Sequence, residues 1–240
     1  MSLFTEYYDT IWGDIADEKF LSDILAQYEK GLMVDLGCAS GRVLKIGLKA
    51  DWSVCGIDFD RDMLAEARKE LDALPGCERS TLIESDFCDF NLPAPARVIV
   101  SMANTYTLVM DKEARRKLFK SVYRNLEKNG TFAVYFISSA SFLTGVKERT
   151  FNVDKGTLVY KAWTDDDHEK MIRTIYVEIS LGEDKESLVF PTKMIPNEEI
   201  EEFAAESGLT IVSKAGGLEN QPMTPEAPYQ VYILKKKEVR

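Results

Sequence analysis

The chain has 240 residues, 45% hydrophobic and 29% charged, and its 30 basic and 40 acidic side chains give a formal net charge of −10. Such a length and composition suit one globular domain with a full core, or one with a small appendage, and exclude a disordered chain. The negative balance argues against a nucleic-acid partner, since phosphates are repelled unless basic residues are concentrated; the one basic run, Lys235-Lys236-Lys237, reads as a solvated tail.

No stretch approaches the roughly 18 to 20 apolar residues of a membrane span, and Met1 to Glu6 lacks the basic-then-apolar pattern of a secretion signal. A cytoplasmic location without membrane contact is therefore expected. Cys38, Cys55, Cys77 and Cys88 form no C-x-x-C pair, and His168 is the single histidine, so neither a metal site nor a disulfide framework is expected.

From Gly31 to Phe136 apolar runs alternate with helical patterns, as in βαβ units on a parallel sheet. Leu32–Leu36 reads as a first strand, followed by a short helix over Gly41–Leu48. Ser53–Ile57 is a second strand ending at Asp58. Asp60 caps a helix with Met63, Leu64, Ala67 and Leu71 at helical spacing. Ser80–Glu84 and Arg97–Ser101 are the next strands. Asp111 opens a helix that Asn129-Gly130 stops, and Thr131–Ile137 is a fifth strand.

Residues 138–196 break the pattern. Thr157–Lys161 and Arg173–Leu181 are strand-like and joined by polar turns such as Asp165-Asp166-Asp167, so a small antiparallel insertion is predicted. Asn197 then caps a helix ended by Gly208. Leu209–Ser213 and Tyr229–Lys235 are two last strands, linked by the meander Lys214–Pro228, which makes the final strand antiparallel. The expected fold is α/β: a doubly wound, seven-stranded, mostly parallel sheet with its last strand antiparallel, plus the insertion. Residues 1–137 and 197–240 would form the core. The insertion would be a substrate cover or a dimer contact.

The segment Asp35-Leu36-Gly37-Cys38-Ala39-Ser40-Gly41 sits where a strand turns into a helix. Small residues there let the backbone approach a ligand, and Asp58 follows at about the distance of a ribose-binding acid in nucleotide-binding units. The third glycine of a dinucleotide site is replaced by Arg42. A carboxylate at Asp35 serves an ammonium ligand better than a pyrophosphate, which counts against a nicotinamide-dependent oxidoreductase.

Asp35 to Gly41 resembles the first motif of class I S-adenosylmethionine-dependent methyltransferases, D-x-G-x-G-x-G, with Ala39 in place of a glycine. Gly56 to Asp60 is similar to their second motif, Ser85-Asp86-Phe87 to their third, and Ser101 to Thr105 stands at their fourth. The likeness covers about residues 30–137 and 197–235. The insertion and the N-terminal Tyr-Tyr-Asp segment look most like small-molecule N- and O-methyltransferases, the glycine and amino-sugar types included.

This resemblance implies S-adenosylmethionine as cofactor and a small-molecule methyl acceptor. Asp35, Gly37, Cys38, Ala39 and Gly41 would hold the methionine part, and Asp58 the ribose hydroxyls. Phe59 and Met63 would pack beside the adenine, although Met63 equally fits a core position. Asp86 and the Phe87 amide would meet the adenine edge, and the Ser101 carbonyl would lie near the sulfonium. Asn104 and Tyr106 are substrate-side candidates for the catalytic role, with Tyr8 beside Tyr7 and Trp12 in a lid or a packing helix. A non-catalytic cofactor-binding protein and a homodimer both stay open at this point.

Overall fold

Three short helices, α1 (Leu3–Glu6), α2 (Tyr8–Trp12) and α3 (Glu18–Leu25), precede the first strand. The computed structural model describes residues 2–13, 17–139 and 145–236; residues 140–144 of the predicted insertion and Lys237 of the basic run lie outside them. The βαβ stretch then follows the apolar pattern: β1 (Leu32–Leu36), α4 (Arg42–Lys49), β2 (Ser53–Asp58), α5 (Arg61–Asp72) and β3 (Ser80–Glu84). Next come β4 (Ala96–Ser101), α6 (Thr105–Leu108), α7 (Lys112–Asn125) and β5 (Leu126–Ile137). The insertion holds β6 (Lys147–Val153), β7 (Gly156–Asp167), β8 (Ile172–Leu181) and β9 (Asp184–Lys193), before α8 (Asn197–Ser207), β10 (Leu209–Ala215) and β11 (Tyr229–Lys236).

Seven strands pair in the order β10-β11-β5-β4-β1-β2-β3. The final strand, β11, runs antiparallel to both neighbours, β5 and β10, while the others share one direction. The expected fold class is thus the observed one, including the four-stranded antiparallel sheet β6-β7-β8-β9. Strand side chains alternate between two cores. Val34, Leu36 and Ile99 pack with helices α7 and α8, whereas Met33, Val54 and Val100 pack with α3 and α4. A third core joins α1 and α2 to the insertion through Tyr7, Ile11, Leu158, Val177 and Ile179. No helix among the described residues is long and apolar enough to cross a membrane.

Three local expectations differ from the structure. The helix opened by Asp111 ends at Asn125, because Leu126 turns extended to pair with Ala96, and the strand begins there rather than at Thr131. Pro196, not Asn197, occupies the cap of α8; the Asn197 amide oxygen instead accepts from the Tyr232 hydroxyl at 3.3 Å. Asp165 to Asp167 pair with Ile172 to Thr174 inside the β7–β8 ladder, so the turn lies beyond them and carries His168.

One buried ion pair locks α6, α7 and α8 together. The Arg115 guanidinium donates to both Glu199 oxygens, at 2.7 and 2.9 Å, and to the carbonyls of Val109 and Met110 at 2.6 and 3.0 Å. The Tyr106 hydroxyl adds a bond to Glu199 at 3.1 Å. Removing one partner strands a buried charge, so Glu199→Ala should lower stability by about 3–5 kcal/mol. Arg115→Met with Glu199→Leu should recover part of that loss, as read from urea midpoints. A double variant no more stable than the single would show that the pair is not what holds these helices.

Candidate functional site

Strands β1 and β4 are adjacent, yet the chain leaves them toward opposite faces, to α4 and to α6. A crevice opens outside the carboxyl ends of two strands that part in this way, and open α/β sheets bind their ligands there. The turn out of β1 is left-handed at three residues: Gly37 (φ 71°), Ala39 (φ 43°) and Gly41 (φ 81°). Ala39 takes the left-handed conformation of the glycine it stands for, although a Cβ in this region costs roughly 1–2 kcal/mol. Gly37 admits no side chain, because a Cβ there would lie 2.3 Å from the Thr105 methyl carbon.

Asp58 stitches the turn to its neighbours. Its carboxylate accepts from the Ala39 amide at 2.9 Å and the Asp60 amide at 3.0 Å, and its carbonyl accepts from Ser85 at 2.9 Å. Asp86, in the turn after β3, is exposed and accepts from the Cys88 amide at 2.8 Å.

Asp35, at the end of β1, is only 3% exposed. It points to the face of Met33 and α4, by the alternation of the strand. Burial pushes its carboxyl well above the usual range; the Arg42 charge pulls it back only in part, and Asp17 and Asp58 push it further up. Arg42 is itself engaged by Asp17 at 2.6 Å, and the second Asp17 oxygen is buried without a hydrogen-bond partner among the described residues. This pocket of negative charge is under-compensated, and a ligand cation would complete it.

Helix α2 covers that crevice. The Tyr8 phenol is pushed up to about 12, first by desolvation and then by the nearby carboxylates of Asp35, Asp9 and Asp58 against Arg42. Asp9 fastens the helix to the turn, accepting from the Ser40 hydroxyl and the Lys45 ammonium, each at 2.5 Å.

Beside the crevice lies a cavity of about 840 Å³. Its floor is the strand-end segment Ala103-Asn104 with Tyr135, and Tyr8 and Trp12 of α2 form one wall. The insertion sheet supplies a second wall through Tyr160, Ile175 and Phe190, and the loop 216–228 closes the remaining side. Asn104 is left-handed (φ 75°), and its amide oxygen accepts from the Ile137 amide at 3.1 Å, tying the ends of β4 and β5 together.

The structure gathers Asp35, Gly37, Cys38, Ala39, Gly41, Asp58 and Ser101 at the carboxyl ends of β1, β2 and β4. Cys38 is buried in the α4 core, and the Ser101 hydroxyl is buried without a partner among the described residues. Phe59 is 73% exposed at the rim, whereas Met63 is buried at the start of α5 and the Phe87 ring belongs to the core. Asn104 and Tyr8 line the cavity. Tyr106 does not: its ring is fully buried and its hydroxyl is spent on Glu199, so it supports the floor from below. His168 is exposed on the β7–β8 turn.

Sequence reasoning passed over Thr105, Tyr135, the Asp9–Ser40–Lys45 link and the loop 216–228. The Gly216-Gly217 pair in a long meander was the one available signal for the loop.

Residues 33–130 match a family model described as a methyltransferase domain. No curated protein matches the chain. In fold, it resembles an S-adenosylmethionine-dependent methyltransferase from Clostridium acetobutylicum (18% identity, 97% of each chain covered, TM-score 0.80). It also resembles the CcbJ methyltransferase of Streptomyces caelestis, with 19% identity over 98% of this chain and 96% of that one, and a TM-score of 0.83. An amino pentose methyltransferase from Micromonospora echinaspora, solved with S-adenosylmethionine bound, is 15% identical over 99% of this chain and 98% of its own, with a TM-score of 0.74. The matched domain runs from β1 to the start of β5 and so contains the whole turn from Asp35 to Gly41, with Asp58 and Asp86.

The turn out of β1 is sensitive at Gly37. Gly37→Ala should lower thermal stability by at least about 1–2 kcal/mol, from the left-handed φ and the overlap with Thr105. Adding Thr105→Ser, which removes the offending methyl, should restore part of the melting temperature. A Gly37→Ala protein as stable as the parent would show that the turn does not pack as described.

Proposed function

We propose that the protein transfers a methyl group from S-adenosylmethionine to a nitrogen of a small amine. The observation that carries this reading is the junction of two compartments: a crevice with an under-compensated buried carboxylate opens next to an aromatic-walled cavity, and Tyr8 borders both. When bound, S-adenosylmethionine supplies a methyl group on a sulfonium, already activated for in-line displacement. On this reading Asp35 pairs with the ammonium of its methionine part, whose charge the buried carboxylate lacks. Gly37, Cys38, Ala39 and Gly41 offer backbone to the same part, and Asp58 faces the ribose. Phe59, Met63, Asp86 and Phe87 border the adenine, and the Ser101 carbonyl lies on the methyl side.

The acceptor's own chemistry follows from the cavity. Desolvation holds the hydroxyls of Tyr8, Tyr135 and Tyr160 above their ordinary range, so they stay protonated at neutral pH and donate rather than abstract. A neutral amine attacks with a lone pair it already has, whereas an alcohol needs a base as it reacts. Asn104 and Tyr8 orient the nucleophile at the cavity floor, and the aromatic walls exclude water. The insertion serves as the cover of this compartment, and the structural relatives that act on amino sugars and glycopeptides support a small-molecule acceptor.

Two outcomes test this. With labelled S-adenosylmethionine, a panel of small amines should accept the methyl group while isosteric alcohols should not; transfer to the alcohols alone would overturn the nitrogen assignment. Asp35→Asn should weaken S-adenosylhomocysteine binding about 10- to 100-fold, the loss expected for a charged partner worth about 1.5–3 kcal/mol. The same variant should be more stable than the parent without ligand. Because the folded carboxyl is raised, the parent loses stability as pH rises from the ordinary carboxylate range through the raised value, so the gap in melting temperature should widen upward from about pH 4. A gap that narrows with rising pH would show that Asp35 is compensated already.

A further inference from the structure

The cavity has two ends of different chemistry. At the floor, Ala103 and Asn104 follow directly from β4, and Thr105 rests on Gly37 of the cofactor turn, so the reacting nitrogen belongs there. On the solvent-exposed side, the loop 216–228 contributes Glu219 and Glu226 to the lining. Among the described residues, these two carboxylates are the only formally charged side chains that line the cavity. Neither is engaged in an ion pair among the described residues; Glu219 accepts only an amide bond from Gln221 at 3.3 Å. Between the ends stand aromatic rings in mutual contact: Phe4, Tyr8 and Trp12 pack with centroids 5.0–5.4 Å apart, Trp12 meets Tyr160 at 5.4 Å, and Phe4 meets Phe190 at 5.6 Å.

The loop that carries the carboxylates is shaped rather than slack. The Gly216 amide donates to the Gln221 carbonyl at 2.8 Å, and a Cβ at Gly216 would lie 2.5 Å from the Pro222 carbonyl oxygen. Glu219 therefore stands on a defined turn, Glu226 on a second one closed by the Ala227 amide donating to the Thr224 carbonyl at 3.1 Å, and no basic side chain among the described residues lines the cavity.

Resting on the reading of this cavity as the acceptor site, we propose that Glu219 and Glu226 are specificity-determining residues that select an acceptor bearing a second, cationic group remote from the methylated nitrogen. The carboxylates are too exposed to serve chemistry at the floor, but they are placed to hold a charge at the far end of a molecule that spans the cavity. The volume supports such a length, since pockets of about 300–1,000 Å³ take drug-sized ligands rather than a single sugar ring. Rings along the cavity favour a cation in transit, because the face of an aromatic ring attracts positive charge. The net charge of −10 adds long-range attraction of the same sign.

Two probes of equal shape separate this from simple hydrophobic binding: benzylamine with a para trimethylammonium-methyl group, and its neutral analogue with a para neopentyl group. Titrated by calorimetry into the full chain saturated with S-adenosylhomocysteine, at low ionic strength, the cationic probe should bind about tenfold more tightly than the neutral one. Glu219→Gln with Glu226→Gln should bring the ratio close to one, and added salt should do the same in the parent. Affinity for S-adenosylhomocysteine should not change in that variant. Equal affinities for the two probes in the parent, a preference that survives the double substitution, or no binding of the cationic probe at millimolar concentration would each overturn the proposal. Failure of the cofactor reading would show separately, as no binding of S-adenosylhomocysteine at all.

Discussion

A carboxylate is costly to bury without a compensating cation, and Asp35 is buried at the point where the sheet changes the direction of its connections. Much of the surrounding structure answers to that one group. Arg42 begins the helix that the carboxylate faces, but Asp17 claims its guanidinium, so the positive charge is shared and the deficit persists. Evolution of a stable scaffold alone would favour removing the charge. Its presence beside a turn with three left-handed residues fits the proposed binding of a cation with a polar backbone-binding part, and strain of that kind concentrates at functional sites.

The second dependence is mechanical. Asp9 binds both Ser40 in the turn and Lys45 in the helix beyond it, while Tyr8 and Trp12 on the same short helix wall the cavity. The turn and the cavity wall are thereby joined through α2. From the other side, Thr105 packs against Gly37, and Asn104 bonds to the end of β5. The cavity floor is thus clamped between the turn and the sheet, with the Arg115–Glu199–Tyr106 network beneath it.

The architecture was legible in the sequence because its signals are local. Apolar runs in Leu32–Leu36 and Arg97–Ser101, the acid after β2 and the capping Asp60 each act within a few residues, and Asp60 indeed accepts from the Asp62 and Met63 amides at 2.9 and 3.1 Å. Tyr106 misled because adjacency to Asn104 in sequence says nothing about direction once a one-turn helix begins between them; α6 rotates its ring into the core, where a buried carboxylate from α8, 93 residues away, takes its hydroxyl. The backbone at Ala39 was not legible for the opposite reason, since the Asp58 bond to its amide holds the turn in a conformation that its own side chain disfavours. Tyr135 and the loop 216–228 carry no motif, and they reach the cavity only through pairing of β11 with β5.

The acceptor side is built apart from the cofactor side. Helices α1 and α2 share a hydrophobic core with the insertion sheet, distinct from the two cores that sandwich the main sheet. A short helix pair or a four-stranded sheet standing alone would bury too little to hold its shape, so each stabilises the other, and the cavity is the gap that their packing leaves against the strand ends. Arg173 anchors this assembly, donating to both oxygens of Asp166 at 2.8 and 2.7 Å and to the Ser138 carbonyl at 3.3 Å, just past the end of β5. Substitutions in the third core therefore act first on the walls, and they reach the turn around Asp35 through the Asp9 link of α2. On the proposed function, a fold that separates its cores in this way keeps one cofactor crevice while its acceptor compartment changes, and the aromatic-walled cavity with Glu219 and Glu226 in its lining is the form this chain has taken.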